Sequence, residues 1–272
     1  MISNPLDGIR KDVADVVAEL IPDSVNSGYN GDAFYNNTHK RRYARTLDVL
    51  FSSEVSGKKI LEIATSEILP VAIRELEPDA DITVTHFDLS GKTSGKYKVE
   101  YAGRKFTVPG YFVDLETMPL PADDETFDIV LCCEVLEHMD VDPMFMLEQI
   151  NRVLKPGGYL LLTTPNITSS RGLWKMLRGI EPYFFMQYHK DGSPYRHNYE
   201  YSHGGLTALL TAAGFAGDIW TEDSFENGVA EDVRFLENAG FKINKDLLGD
   251  NLFASVYKKS DVIERYPSPI YV

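Results

Sequence analysis

Two continuous apolar runs in the middle of the chain predict a pair of buried parallel strands. They cover residues 129–133 and 160–164, and strands covered on both faces carry such uninterrupted apolar segments. Between them, residues 143–154 place apolar side chains at helical spacing, and the Pro-Gly-Gly sequence at 156–158 ends that helix. The order strand, helix, strand predicts a βαβ unit with parallel strands.

The same apolar patterns continue on both sides of this unit. Helices are predicted over residues 9–21, 39–51, 70–76, 170–178 and 205–213, and strands over 59–64, 81–88, 217–221 and 251–257. Residues 90–112 predict a β-hairpin inserted after the second strand, at the surface. The alternation of strands and helices predicts an α/β fold, with a seven-stranded mostly parallel sheet and helices on both faces.

Composition narrows the function classes. The 272 residues are 43% hydrophobic and 25% charged, which is enough to bury one large core. The formal net charge of −14 repels a phosphate backbone, so nucleic acid is disfavoured as a partner.

The chain begins without a signal-peptide pattern and no run reaches the ~18 apolar residues of a membrane span, so we expect a cytoplasmic protein. The two adjacent cysteines, Cys132 and Cys133, are expected to be reduced, buried thiols.

Two short sequences beside the central strands carry a family resemblance. Residues 134–138 read Glu-Val-Leu-Glu-His, and residues 154–158 read Leu-Lys-Pro-Gly-Gly. Together they resemble the class I S-adenosylmethionine-dependent methyltransferases, whose fourth strand ends in an acidic residue and whose fifth follows such a turn. The resemblance extends over residues 58–166 and, less closely, 196–215. It implies a Rossmann-like fold, S-adenosylmethionine as cofactor, and methyl transfer.

The end of the first strand departs from this family. The family's acidic residue is present as Glu62, but Ala64 and Ser66 stand where the family usually has glycines. Glycines let the backbone approach the methionine part of the cofactor, and small residues can also serve, whereas Glu67 brings one carboxylate toward another. The resemblance implies that Glu62, Ala64 and Ser66 line the cofactor site.

Acidic residues at the next strand ends complete the implied cofactor site. Asp88, followed by Leu89, would accept both ribose hydroxyls, and its alternative role is a turn or helix-cap aspartate. Asp114, followed by Leu115, matches the acid that binds the adenine amino group, and its alternative role is a loop aspartate. Glu134 ends the fourth strand, where the resemblance places it near the reacting end of the cofactor.

A second group of residues is typical of metal ligation. Glu134, Glu137 and His138 are spaced i, i+3 and i+4, so a helix beginning here would turn them to one side. Residues 196–202 resemble the His-x-Phe-Glu-Trp-Thr segment of small-RNA 3′-terminal 2′-O-methyltransferases, in which a downstream histidine, here His197, completes a metal site. Two carboxylates and two imidazoles suit Mn²⁺, Fe²⁺ or Zn²⁺, and Mg²⁺ less readily because it prefers oxygen ligands. Such an ion would hold two substrate oxygens and activate a hydroxyl.

A metal-free interpretation of the same residues stays open. Methyltransferases of glycan biosynthesis carry similar Glu-His and His-Asn-x-Glu-Tyr segments. In that case His138 or His197 is the candidate general base, beside Glu134, because an imidazole accepts a proton near neutral pH.

The whole chain, 1–272, is expected to form one methyltransferase domain with three additions. These are an N-terminal helical cap at 1–57, the hairpin at 90–112 and a substrate-side embellishment at 167–204. Residues 27–37 form either a loop over a ligand or a surface connector. The aromatic residues Tyr183, Phe184, Phe185 and Tyr188 either wall a substrate pocket or pack the embellishment.

Three functional hypotheses follow. The first is an O-methyltransferase acting on a hydroxyl of a small molecule or glycan precursor. The second is a metal-dependent RNA 2′-O-methyltransferase, which the net charge opposes. The third is a non-catalytic binding protein with a methyltransferase fold, prompted by the missing glycines at Ala64 and Ser66.

Overall fold

The structure is a computed structural model that describes part of the chain in two units. The described residues are 4–23, 32–88, 90–182, 188, 190, 196–224, 234–268 and 270–272. One unit comprises Met1–Phe112 with Ser224–Asn227, and the other comprises Val113–Asp223 with Gly228–Val272. Within these ranges, no helix combines the length and apolar character needed to cross a bilayer.

The first unit has four strands, in the order β3-β4-β2-β1. They are β1 (Lys59–Ile63), β2 (Asp81–His86), β3 (Ser94–Tyr101) and β4 (Arg104–Phe112). β2 pairs in parallel with both β1 and β4, whereas β3 pairs antiparallel with β4. Ile60, Leu61 and Val84 are fully or almost fully buried, as expected for strands covered on both faces.

Four helices accompany these strands. They are α1 (Lys11–Leu20), α2 (Asp32–Thr38), α3 (Lys40–Leu50) and α4 (Ile68–Leu76). α1 packs on α3 and α4, and its Val13 and Val17 are buried together with Leu47 of α3. The prediction of a loop over 27–37 is wrong for its second part, because residues 32–37 belong to α2. Residues 27–31 lie outside the described ranges.

The second unit also has four strands, in the order β5-β6-β8-β7. They are β5 (Phe127–Cys133), β6 (Leu154–Pro165), β7 (Phe215–Glu222) and β8 (Asn251–Lys258). Its helices are α5 (Pro143–Val153), α6 (Ser170–Leu177), α7 (His203–Ala212) and α8 (Arg234–Asn238), with 3₁₀ turns at Leu136–His138 and Lys245–Leu247. β8 runs antiparallel to β6 and β7, so β5, β6 and β7 share one direction.

The described residues contain eight strands, so the predicted count of seven is wrong. The predicted hairpin supplies two of these eight strands, β3 and β4. Its second strand pairs in parallel with β2, with Val84 opposite Gly110, and is therefore a member of the sheet and not only a surface insertion. The α/β class is confirmed, and three of the four strands in each unit run in the same direction.

The Leu-Lys-Pro-Gly-Gly sequence produces an irregularity at the start of β6. Phe127 pairs with Leu154, but Ile129 pairs with Tyr159, so the residues between them leave the regular register. Gly158 is required here, because an added Cβ would lie 2.9 Å from the carbonyl oxygen of Asp128. The turn predicted from this sequence is therefore a bulge inside β6.

His39, between α2 and α3, makes the stability of the first unit sensitive to acid. Its Nδ1 lies 2.9 Å from an Arg42 guanidinium nitrogen, and its ring packs on Tyr35 with centroids 4.3 Å apart. Burial, and then the charge of Arg42, lower the pKa of His39 to about 2. Below its unfolded pKa of about 6.5, the unfolded chain takes up a proton that the folded protein does not.

We therefore expect His39→Gln to weaken the pH dependence of stability. Between pH 7 and pH 5, the free energy of unfolding of the unaltered protein should fall about 2 kcal/mol more than that of the variant. Denaturant unfolding at both pH values measures this difference. An equal fall in the two proteins would contradict the assignment of the effect to His39.

Candidate functional site

The loop after β1 is organised by the carboxylate of Glu62. This side chain is buried, and it accepts hydrogen bonds from Thr65 Oγ1 (2.6 Å), the Ser66 amide (3.0 Å) and Ser66 Oγ (2.8 Å). Burial raises the pKa of Glu62, and these hydrogen bonds act in the opposite direction. The acid predicted from the family pattern therefore shapes the loop that follows it.

This β1–α4 loop, residues 64–67, adopts a glycine-like backbone without glycine. Ala64 has φ 51° and Glu67 has φ 62°, both in the left-handed region. The Ala64 amide donates to Thr85 Oγ1 (2.7 Å), and the Thr65 amide donates to the Thr85 carbonyl (3.0 Å). Hydrogen bonds to β2 thus hold a conformation that costs roughly 1–2 kcal/mol for a residue with a Cβ.

Asp88, after β2, is held by hydrogen bonds from Ser90. It accepts hydrogen bonds from the amide (2.7 Å) and the hydroxyl (3.0 Å) of Ser90, and these bonds lower its pKa. Each carboxylate oxygen has a second acceptor site, so these bonds leave capacity for two ribose hydroxyls. Leu89 lies outside the described residues.

Asp114, in the second unit, is held by a comparable pair of hydrogen bonds. It accepts hydrogen bonds from the Glu116 amide (3.0 Å) and Thr117 Oγ1 (2.8 Å), and the adjacent Leu115 is half-buried. The Glu116 carboxylate accepts hydrogen bonds from three successive amides at residues 140–142. Glu116 thereby ties the loop of Asp114 to the segment after residue 138, a role that no motif in the sequence indicated.

Glu134 does not begin a helix, and this part of the prediction is wrong. It has φ 57°, and the 3₁₀ turn starts two residues later at Leu136. Its amide donates to the Thr163 carbonyl (2.8 Å), and its Oε1 accepts from Asn251 Nδ2 (3.3 Å). The helical spacing is therefore broken at Glu134, and the group of possible metal ligands among the described residues does not include its carboxylate.

The other three predicted ligands do converge. One ligand atom each from Glu137, His138 and His197 lies within 4.8 Å of the other two. The rings of the two histidines meet edge to face with centroids 4.9 Å apart, and Glu137 Oε1 is 3.9 Å from His138 Nε2. We call these residues the Glu-His-His cluster.

A supporting hydrogen bond orients each member of this cluster. Thr164 Oγ1 donates to Glu137 Oε2 (2.9 Å), His138 Nδ1 donates to the Arg196 carbonyl (3.0 Å), and His197 Nδ1 donates to Glu200 Oε1 (2.8 Å). These acceptors favour the tautomer in which each Nε2 carries the lone pair. Glu200, like Glu137, is almost fully buried.

Backbone hydrogen bonds join the two distant segments of the cluster. The amides of Asn198 (2.7 Å) and Tyr199 (3.2 Å) donate to the Glu137 carbonyl, and Asn198 Nδ2 donates to the His138 carbonyl (2.9 Å). These contacts position His197 beside the 3₁₀ turn. The predicted link between the Glu-Val-Leu-Glu-His and His-Asn-Tyr-Glu-Tyr segments is therefore direct.

The cluster is suited to two kinds of chemistry. One carboxylate and two neutral imidazoles match the ligands of a borderline divalent ion, and three protein ligands leave coordination positions for substrate oxygens. Without an ion, an imidazole Nε2 can accept a proton from a hydroxyl. Both kinds of chemistry increase the nucleophilicity of an oxygen.

Several residues of the site escaped sequence reasoning. Glu200 lies three residues after His197, a spacing that could have identified it as a partner of the imidazole. Thr164, Asn251 and Glu116 act through contacts distant in sequence, with no local signal. Tyr188 is 89% exposed, and the Arg196 guanidinium lies over its ring. The other predicted aromatic residues, Tyr183, Phe184 and Phe185, lie outside the described residues.

Sequence comparisons identify related proteins over part of the chain. Residues 71–162 match the family model described as "Methyltransferase domain". Phthiotriol/phenolphthiotriol dimycocerosates methyltransferase 1 of Mycobacterium ulcerans (strain Agy99) is 31% identical over 143 residues, 52% of this chain and 48% of that protein. A ubiquinone biosynthesis O-methyltransferase of Paraburkholderia phymatum is 26% identical over 145 residues, 53% of this chain and 60% of that protein. The chain thus spans about half the length of these relatives.

Structural comparison gives the same fold. An S-adenosylmethionine-dependent methyltransferase from Thermotoga maritima superposes with a TM-score of 0.52 at 18% identity, covering 83% of this chain and 93% of that one. At this identity the likeness concerns the fold alone. The fold and the domain match agree with the resemblance inferred from residues 134–138 and 154–158.

Proposed function

We propose that the chain is a class I S-adenosylmethionine-dependent methyltransferase and that it transfers a methyl group to a hydroxyl oxygen of a small molecule or glycan precursor. The observation that supports an oxygen acceptor is the Glu-His-His cluster. A neutral hydroxyl is a weak nucleophile and must lose its proton during the reaction, so a base or a metal ion is needed beside it. Glu137, His138 and His197 provide the groups for either.

The described residues fit S-adenosylmethionine by their chemistry. The β1–α4 loop keeps a left-handed backbone at Ala64, and Asp88 and Asp114 each retain acceptor capacity. We propose that Glu62, Ala64 and Ser66 bind the methionine part, that Asp88 binds the ribose, and that Asp114 with Leu115 binds the adenine. When bound, the cofactor supplies a methyl group on a sulfonium, and the protein's task is in-line orientation of the acceptor.

We propose that His138 or His197 accepts the proton of the substrate hydroxyl. We propose that Glu134, whose carboxylate accepts a hydrogen bond from Asn251, is a further catalytic residue. The proposed site for a divalent ion is the Glu-His-His cluster, without Glu134. The bonds to Arg196 and Glu200 argue for an ion, because metal-binding imidazoles characteristically donate their other N–H to a carbonyl or carboxylate. Ligating carboxylates also accept supporting hydrogen bonds, as Glu137 does from Thr164. The ion would bind an acceptor oxygen and lower its pKa.

A small-molecule acceptor is favoured over RNA. The relatives are named for phthiotriol dimycocerosates and for ubiquinone biosynthesis, all small molecules. A metal-dependent RNA 2′-O-methyltransferase is the second candidate, and the cluster is what favours it. However, the net charge of −14 opposes a polyanionic substrate.

The backbone of Ala64 argues against the third hypothesis, a non-catalytic protein. Ala64 has a left-handed conformation, so the loop keeps the shape that glycine would give.

The first test is calorimetric titration with S-adenosylmethionine and S-adenosylhomocysteine, after chelator treatment, with and without Mn²⁺. We expect both compounds to bind, and we expect Mn²⁺ to bind separately. Screening of catechols, sugars and short RNA for methyl incorporation then identifies the acceptor class. A folded protein that binds neither compound would refute the proposed function, and methylation of RNA alone would favour the second candidate.

A further inference from the structure

The hairpin of β3 and β4 contributes a side chain to the β1–α4 loop. Tyr97, on β3, is half-buried, and its hydroxyl donates a hydrogen bond to Glu67 Oε1 (2.9 Å). Gly110 on β4 makes room for it, because an added Cβ there would lie 2.8 Å from Tyr97 Cβ. The position of this tyrosine is therefore built into the pairing of the two strands.

Glu67 has a backbone conformation that is unfavourable for a residue with a Cβ. It has φ 62° and precedes the first residue of α4, Ile68. Its amide donates to Thr65 Oγ1 (3.2 Å), so the local chain restrains the backbone, whereas Tyr97 restrains the carboxylate. This left-handed conformation is unfavourable in free energy for a residue with a Cβ, so the surrounding contacts must offset that free energy.

The charge of Glu67 gives the contact a functional consequence. The family resemblance places this loop against the methionine part of the cofactor, which carries its own carboxylate. A loose Glu67 side chain would oppose that carboxylate electrostatically. Burial, and then the bond to Glu67, raise the pKa of Tyr97 to about 12, so its hydroxyl remains a donor at neutral pH.

We propose that Tyr97 is a positioning residue for the cofactor: it keeps the Glu67 carboxylate turned to the hairpin and so keeps the β1–α4 loop open to S-adenosylmethionine. The inference rests on the proposed function, because it concerns the same cofactor site. It gives the hairpin a role, and it explains how a loop without glycine at Ala64 and Ser66 can remain competent to bind.

The test compares Tyr97→Phe with Tyr101→Phe. Both variants remove one hydroxyl from β3, but the Tyr101 hydroxyl accepts from Asn36 Nδ2 (3.1 Å), in a contact that does not involve the loop. We expect Tyr97→Phe to weaken S-adenosylmethionine binding about threefold to tenfold, the effect of one lost hydrogen bond, and Tyr101→Phe to leave the affinity unchanged. Calorimetric titration measures the affinities, and thermal unfolding confirms that both variants are folded.

A double-mutant cycle separates positioning from general stability. Glu67→Gln removes the charge, so the Tyr97→Phe change should cost little affinity in a Glu67→Gln background. An equal loss of affinity with and without the Glu67→Gln change would overturn the inference, as would equal effects of Tyr97→Phe and Tyr101→Phe. If the unaltered protein does not bind S-adenosylmethionine, the proposed function itself fails. If it binds and Tyr97→Phe binds equally well, only this inference fails.

Discussion

Replacing His197 by alanine is expected to lower the affinity for Mn²⁺ more than about 100-fold. Removing a residue that only supports a metal ligand typically lowers the affinity about 10-fold to 100-fold. His197 is one of three residues in the Glu-His-His cluster, and its Nε2 lies opposite the nitrogen that donates to Glu200. Two remaining ligands would hold an ion weakly, because each protein ligand replaces a water of the hydrated ion. Titration of the chelator-treated protein with Mn²⁺ measures the loss.

Two further variants make this result specific. His203 lies in the same unit, and its Nε2 is within hydrogen-bonding distance of the Ile219 carbonyl (3.0 Å) outside the cluster, so His203→Ala should keep the full Mn²⁺ affinity. Glu200→Gln retains an acceptor oxygen for His197 and should cost less than His197→Ala. An equal loss in His197→Ala and His203→Ala would refute the assigned ligand. An unaltered protein that does not bind Mn²⁺ would refute the metal centre and leave His138 and His197 as candidate bases.

The fold was predictable wherever a local pattern determines an element. Residues 129–133 and 160–162 are apolar without interruption, and Thr163 and Thr164 are buried after them, because β5 and β6 are covered on both faces. Both strands form as predicted. The role of β4 depended instead on its partner, since only pairing with β2 makes the hairpin part of the sheet. Strand pairing is a long-range property, so local patterns do not determine how many strands join the sheet.

In the candidate site, too, local patterns predicted some features and long-range contacts determined others. The spacing of Glu137 and His138, together with the likeness around His197, predicted that these residues meet, and they do. The helix assumed at Glu134 does not begin there, because this residue lies in the left-handed region. Glu116 was missed because its carboxylate accepts from amides more than twenty residues away, which no local spacing encodes.

Replacing Glu62 by alanine is expected to weaken S-adenosylmethionine binding about 100-fold or more. The buried carboxylate accepts three hydrogen bonds from Thr65 and Ser66, and hydrogen bonds to a charged group contribute roughly 1.5–3 kcal/mol each. Without them the β1–α4 loop loses the contacts that fix its shape after β1. Calorimetric titration of the folded variant measures the change.

Glu62→Gln distinguishes loop organisation from protein stability. The amide keeps one acceptor oxygen for Ser66, so its effect on affinity should be smaller, about tenfold. Burial raises the pKa of Glu62, so this acid favours the folded state below its unfolded pKa and loses that contribution as the pH rises through the folded pKa. Glutamine is neutral at every pH and does not carry the burial cost of a carboxylate, so Glu62→Gln should not lower the free energy of unfolding at neutral pH. Affinity and stability should move separately in this variant, and a parallel fall of both would show that Glu62 serves only the fold.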